Sequence, residues 1–202
     1  MPAEQDTRSR ILEAALERFA SQGYHQTKVA DIVESSRTSK GAVYFHFPSK
    51  QDIFLGLVDQ FASLLENRVQ AALIGEVSGV ERVNAALNVV METFTRYRRL
   101  AKIFLIQAAG LGREFEEKRL EIHRRFIALI EEQLQQALAE GDLAEIDPEV
   151  TAYAWMGAVN ELVISWVHDG HPDPERALPE LRGLLLRGIG LEDPGQENSS
   201  NT

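Results

Sequence analysis

Apolar residues recur along this chain at helical intervals. In "RILEAALERFASQGY" Ile11, Ala15 and Phe19 fall four apart, with Leu12, Leu16 and Ala20 beside them on the same stripe. Gly23 stands where a left-handed residue closes such a helix. A short helix follows over Lys28 to Ser35, with Thr27 as its N-cap and Val29, Ile32 and Val33 facing inward. The polar "SSRTS" reads as a turn, and a second short helix over Ser39 to Phe45 stops at "FPS". Ser49 to Asp52 has the pattern of a capping box opening a helix to about Leu73, and Ser78 to Glu81 opens another to about Arg98.

Beyond these, a shorter helix fits Leu100 to Ala109, and "GLG" separates it from the longest one, Arg113 to Glu140, closed by Gly141. Asp147-Pro148 pairs an N-cap with proline in the first helical position and predicts a helix to about His168. Asp173-Pro174 repeats that signal, but Pro179 would fall inside the helix so begun. A turn or distortion is therefore expected there, with regular helix over Leu181 to Ile189. The chain is expected to finish in a disordered tail over 191–202, and no segment alternates with period two for the length of a strand. The pattern predicts an all-α fold of about nine helices.

Two short helices joined by a tight turn, the second rich in polar tips, make a helix-turn-helix unit. The first helix is expected to pack Ile11 and Phe19 on Ile32, Val43 and Phe47, holding the second short helix at the surface. Val43 and Phe47, four apart, then point inward, leaving Thr38, Ser39, Lys40, Ala42, Tyr44, Phe45 and His46 outside.

Charge sharpens this picture. The chain carries −10, yet residues 1–50 hold seven Lys/Arg against six Asp/Glu, and the remainder 14 against 25. Only the N-terminal part would tolerate a polyanion. An apolar share of 44% is that of a globular protein. No apolar run reaches the roughly 18 residues of a membrane helix, and no secretory signal opens the chain. With no cysteine there is neither a disulfide framework nor a thiolate metal site. A cytoplasmic protein without membrane contact is expected.

The stretch "QTKVADIVESSRTSKGAVYFHFPSKQDIF" resembles the helix-turn-helix of the TetR family of bacterial transcriptional repressors. Thr27, Ile32, Ser39, Gly41, Val43-Tyr44, His46-Phe47 and Lys50 stand at that family's spacing, and the likeness covers about residues 8–58. The chain departs from the pattern in two places: Val33 replaces a small alanine, and Arg37 stands where the turn commonly has glycine. At positive φ a non-glycine residue costs about 1 kcal/mol. The Arg37 side chain either reaches a phosphate or rests as a surface residue.

The resemblance implies a DNA-binding domain over 1–50, an effector-binding and dimerisation domain over 51–190, and double-stranded DNA as partner. Helix starts present N–H groups to phosphate, so Thr27 and the Thr38/Ser39 start suit backbone clamping. Lys50 and Tyr44 suit phosphate positioning, although Tyr44 would equally cover the small core. Lys40, Ala42 and Phe45 lie on the face that would enter the major groove, where lysine donates to guanine and alanine touches a thymine methyl. Gly41 leaves room for DNA backbone. His46 reads as a cap or phosphate neighbour, and Lys28 as either a phosphate contact or a solvated helix residue.

The helix from Asp147 to His168 is apolar nearly all round and must be covered on two sides. By the resemblance it pairs with the last helix across a two-fold axis, giving a homodimer. Candidate contacts for a small-molecule effector are Phe94, Tyr97, Phe104, Gln107, His123, Phe126, Ile130, Trp155, Asn160 and Glu161; Phe94, Tyr97, Phe104, Gln107 and Phe126 would serve equally as core, and His123 reads also as a satisfied core residue. A buried Glu161 would need a partner, Arg182 or Arg187 of the other copy, or the ligand. "AWMGAVNELVISWVHDG" is similar to TetR-type regulators of fatty-acid degradation, which implies a long-chain acyl-CoA as effector; an aromatic cation is the alternative. The helix over 100–109, between two longer helices and broken by Gly110 and Gly112, is the expected transmitter of a population shift.

An enzyme is disfavoured. There is no Gly-x-Ser-x-Gly, phosphate loop or dinucleotide fingerprint, and His168 and His171 in "HDGHPD" are too few to hold a metal. No cofactor is expected. A helical protein-interaction module is the remaining class, distinguished from a DNA reader by the salt dependence of binding.

Overall fold

A computed structural model describes residues 2–76, 78–103, 105, 111–141, 143 and 145–191, with side chains from residue 6 onward. Among the described residues there are nine helices and no strand: α1 Pro2–Gln26, α2 Val29–Ser36, α3 Lys40–His46, α4 Lys50–Leu73, α5 Gly79–Arg96, α6 Arg98–Lys102, α7 Arg113–Glu140, α8 Pro148–Asp169 and α9 Pro174–Gly188.

Most helix boundaries follow local chemistry. Gly23, at φ 81° and ψ 167°, breaks α1 one turn before its end. The Ser78 Oγ accepts the Glu81 N–H at 3.2 Å while the Glu81 carboxylate accepts the Ser78 N–H at 3.0 Å, a complete capping box at the head of α5. Asp147 caps α8 through the Val150 N–H at 3.1 Å, with Pro148 in the first turn.

Three boundaries correct the sequence reading. Lys28, not Thr27, occupies the N-cap position of α2. The buried Thr27 hydroxyl instead donates back to the Gly23 carbonyl at 2.8 Å, which the break in α1 deprives of its helical partner. Pro179 lies inside an unbroken α9. It forfeits one N–H near an exposed helix start, where water can reach the Glu175 carbonyl, so no turn forms. The helix expected over 100–109 begins at Arg98, after Tyr97 leaves helical geometry at φ −110° and ψ 34°. Phe104 and 106–110 lie outside the described residues, as does the expected tail from 192 on. Leu191 packs against the core beside α9.

The chain forms two compact units. The first comprises Met1–Leu64 with Tyr97–Arg119, the second Leu65–Arg96 with Leu120–Thr202. The first carries 13 Lys/Arg against 11 Asp/Glu, a net +2; the second carries 8 against 20, a net −12. It extends past residue 50 because the opening turns of α4 bury Ile53, Phe54, Leu57 and Phe61.

In the first unit α1 packs on α2, α3 and α6. Ile11, Phe19, Ile32 and Val43 are fully buried, and Phe47 nearly so, as the four-residue spacing predicts. An aromatic group of Phe19, Tyr24, Phe54 and Phe115 joins α1, α4 and the start of α7, with ring centroids 5.2 to 5.7 Å apart. Gly56 lets α4 close on the end of α3: a Cβ there would stand 2.9 Å from the Phe47 ring.

In the second unit α5, α8 and α9 pack together around Val83, Leu87, Leu181, Leu185 and Leu186. Among the described residues no helix is long and apolar enough to cross a membrane.

Candidate nucleic-acid interface

α2 ends at a turn whose geometry sets the direction of α3. Arg37 is left-handed, at φ 52° and ψ 39°. Its N–H donates to the Glu34 carbonyl at 3.2 Å, and the Thr38 N–H to that of Val33 at 3.4 Å. This crossed pair closes a helix when the left-handed residue is glycine. Here arginine holds the position, at a conformational cost of about 1 kcal/mol. Arg10 reaches over from α1, its Nη2 donating to the Ser36 carbonyl at 2.8 Å and the Arg37 carbonyl at 2.9 Å. The Ser36 hydroxyl donates to Val33, so the Thr38 hydroxyl, 2.7 Å away, donates to Ser36. Ser39 then caps α3, accepting the Ala42 N–H at 3.0 Å.

With Val43 and Phe47 as anchors, α3 turns Lys40, Gly41, Tyr44 and Phe45 outward. Phe45 is 74% exposed and Tyr44 42%. Two neighbouring aromatic side chains left in water on a seven-residue helix mark a contact surface. The Lys40 ammonium lies 5.9 Å from the Tyr44 ring centre. Ala42 and His46 are half-buried, and the His46 ring packs beside Phe45 and Phe47. Lys28, Arg37 and Ser39 are exposed, and Thr38 is half-buried.

Two expected phosphate contacts are directed elsewhere. The Thr27 side chain is buried, and the first N–H of the α2 start, that of Lys28, donates to the Asp31 carboxylate at 3.0 Å. Lys50 donates from Nζ to the carbonyls of Tyr24 at 2.9 Å and Thr27 at 3.0 Å, and its ammonium stands 4.4 Å over the Tyr24 ring. The break at Gly23 exposes helix-end carbonyls, and the nearest cation satisfies them. Burial, and secondarily the Asp52 carboxylate, raise the Tyr24 phenol above its ordinary pKa, which keeps that ring neutral beneath the ammonium.

Arg10 and Arg18, which the sequence presents only as bulk charge, are structural links to α2 and its turn. Arg18 Nε donates to the Ser35 hydroxyl at 2.8 Å, so both arginines of this helix face hold α2. A legible signal exists: they stand eight apart, two helical turns, with the buried Ala14 between them. The exposed Arg8, Lys28, Arg37 and Lys40 are the remaining cations of residues 1–50.

The described effector candidates differ in burial. Ile130 and Trp155 pack into the cluster of Ile127, Leu134, Ala152 and Ile189. Phe94 is buried, while Tyr97, His123, Phe126 and Asn160 are half-buried. Glu161 is exposed in the single chain, on an outward stripe of α8 with Val150, Tyr153 and Gly157. Phe104 and Gln107 lie outside the described residues. An apolar cleft of about 10 Å³, room for roughly one water, opens among Leu87, Met91, Val159, Leu162, Trp166 and Leu178; none of these was a candidate. Among the described residues no cluster of side chains could hold a metal ion.

Comparison with known proteins settles the family. Residues 11–57 match the family model described as "Bacterial regulatory proteins, tetR family", and residues 76–189 that described as "Tetracyclin repressor-like, C-terminal domain". The chain belongs to the TetR family. TetR regulators are non-enzymatic DNA-binding proteins, so the helix-turn-helix is a DNA-binding element of a transcription regulator. A TetR relative, the fatty acid metabolism regulator protein of Bacillus subtilis (strain 168), is 23% identical over 181 residues, covering 89% of this chain and 93% of its own. The structure of fatty acid degradation regulator FadR from Bacillus halodurans matches with a TM-score of 0.82 at 22% identity, over 90% of this chain and 95% of that one. FadR from Bacillus subtilis in complex with stearoyl-CoA matches with a TM-score of 0.79 at 22% identity, over 90% and 98%. These likenesses give the TetR fold.

Proposed function

We propose that this chain is a cytoplasmic, ligand-responsive repressor that binds a palindromic operator as a homodimer and leaves it on binding a long-chain acyl-CoA. The observation that carries the DNA reading is α3: Lys40, Tyr44 and Phe45 exposed above the Val43 and Phe47 anchors. Lys40, Ala42 and Phe45 meet base edges in the major groove, and Lys28, Arg37 and Tyr44 meet phosphate.

A homodimer is supported by the outward stripe of α8, with Val150 and Tyr153 exposed beside small Ala154 and Gly157, and by Leu184 exposed on α9. Two copies would present their reading helices to half-sites about 34–36 Å apart. The effector reading is supported by the match of residues 76–189 to the C-terminal family model and by the relative solved with stearoyl-CoA. The ligand acts by preferring a dimer state whose reading helices no longer fit both half-sites.

The test is titration of acyl-CoAs of graded chain length into the complex with operator DNA, followed by fluorescence anisotropy. Release that strengthens with chain length is expected, and an intact complex at saturating acyl-CoA sinks the effector assignment. The net −12 of the second unit favours an aromatic cation as the alternative effector, and the same titration with a cationic dye distinguishes it.

A further inference from the structure

The turn between α2 and α3 carries a contradiction. It is closed by the hydrogen-bond pair that ordinarily uses glycine, yet Arg37 occupies the left-handed position. The crossed bonds satisfy the carbonyls of Val33 and Glu34. Those of Ser36 and Arg37 lie at the C-terminal, negative end of α2 and take both their donors from one nitrogen, Arg10 Nη2, at 2.8 and 2.9 Å. That nitrogen bears two N–H groups, and each finds one carbonyl. Bonds from a guanidinium are roughly twice as strong as neutral ones.

We propose that Arg10 is a positioning residue for DNA reading: it clamps the strained Arg37 turn and so fixes the direction of α3. No base or phosphate need be touched by it. The clamp spans 26 and 27 residues of sequence, from the supporting helix to the turn. Loss of it frees two carbonyls and leaves the left-handed arginine without the cation that compensates it. The turn then samples other geometries, and α3 loses its fixed angle while its own outward side chains are unchanged. Arg37→Gly removes the strain at its source, so the clamp becomes dispensable in that background. The inference rests on α3 reading DNA, but not on any effector.

The test compares wild type with Arg10→Met, Arg10→Lys, Arg37→Gly and Arg10→Met/Arg37→Gly. The probes are a duplex selected from random DNA by the wild-type protein and an unrelated duplex, each at several salt concentrations. Arg10→Met is expected to weaken binding to the selected duplex about tenfold, with the unrelated duplex little affected. Arg10→Lys, which keeps donors, recovers part of the loss, and Arg10→Met/Arg37→Gly binds within about threefold of Arg37→Gly. In Arg10→Met and Arg10→Lys the slope of affinity against salt stays that of wild type, and the double variant keeps the slope of Arg37→Gly.

Equal loss on both duplexes, with a salt slope shallower by about one per protomer, would make Arg10 a phosphate contact and overturn the proposal. An unrescued double variant overturns it too. Amide exchange at Thr38, measured without DNA, tests the clamp by itself. Exchange faster in Arg10→Met and restored in the double variant supports it; unchanged exchange refutes it whatever DNA does.

Discussion

The Lys50 ammonium donates to the Thr27 carbonyl across 3.0 Å and to the Tyr24 carbonyl across 2.9 Å, tying the first residue of α4 to the end of α1 and the residue that follows it. The bonds are part-buried and come from a charged donor. Lys50→Met is therefore predicted to lower stability by about 1–3 kcal/mol, read in thermal unfolding. The salt slope of DNA binding should not change, because that cation faces its own backbone. A slope shallower by about one per protomer would return Lys50 to the phosphate.

Removing outward residues of α3 should give the opposite profile. Phe45→Ala is predicted to weaken operator binding while leaving stability within about 0.5 kcal/mol, since the ring is mostly in water. Phe47→Ala, only two residues on, should cost about 3–5 kcal/mol, because its ring is 4% exposed and packed against α4. Denaturant unfolding of the two variants side by side decides this, and equal losses would contradict the assignment of faces.

In the second unit Arg82 is buried and meets Glu140 at 2.7 Å. Hydrogen bonds from Arg82, and then from Gln136, hold the Glu140 carboxyl below its usual range. A depressed pKa contributes stability above the unfolded value, about 4.3, and that stability fades as pH falls through the folded value. Glu140→Gln should accordingly lower the melting temperature at neutral pH, with the difference shrinking below pH of about 4. A difference that persists undiminished in acid would show that the pair's charge is irrelevant.

The exposed stripe of α8 and α9 predicts association. Tyr153→Glu combined with Leu184→Glu should yield a monomer in sedimentation while retaining the helical spectrum, since both side chains lie outside the cores of the single chain. Binding to a full palindrome should drop far more than binding to a half-site. A double variant that sediments as wild type would move the interface elsewhere.

These residues also mark what a sequence can disclose. Val43 and Phe47 were legible because a four-residue spacing of apolar side chains has one helical meaning. Ser78 with Glu81 was legible because its bonds are local and reciprocal. Arg10, Arg18 and Lys50 are, by composition, charge available to a polyanion, but their acceptors are carbonyls and a hydroxyl 17 to 27 residues away. Sequence declares a cation's sign and not its direction. The direction of the Thr27 hydroxyl is hidden likewise, since it turns to the Gly23 carbonyl where α1 departs from helical geometry. Pro179 was overrated as a breaker because its lost bond lies near an exposed helix start.

A Cβ on Gly41 would meet nothing nearer than the Ser39 hydroxyl at 3.9 Å, and Phe45 beside it on the outward face is largely in solvent. Nothing within the chain therefore demands these particular side chains. Folding is written in the buried positions 32, 43 and 47, while positions 40, 41, 44 and 45 face outward. Substitutions on this outward face can therefore change what α3 meets without the stability of the fold registering them.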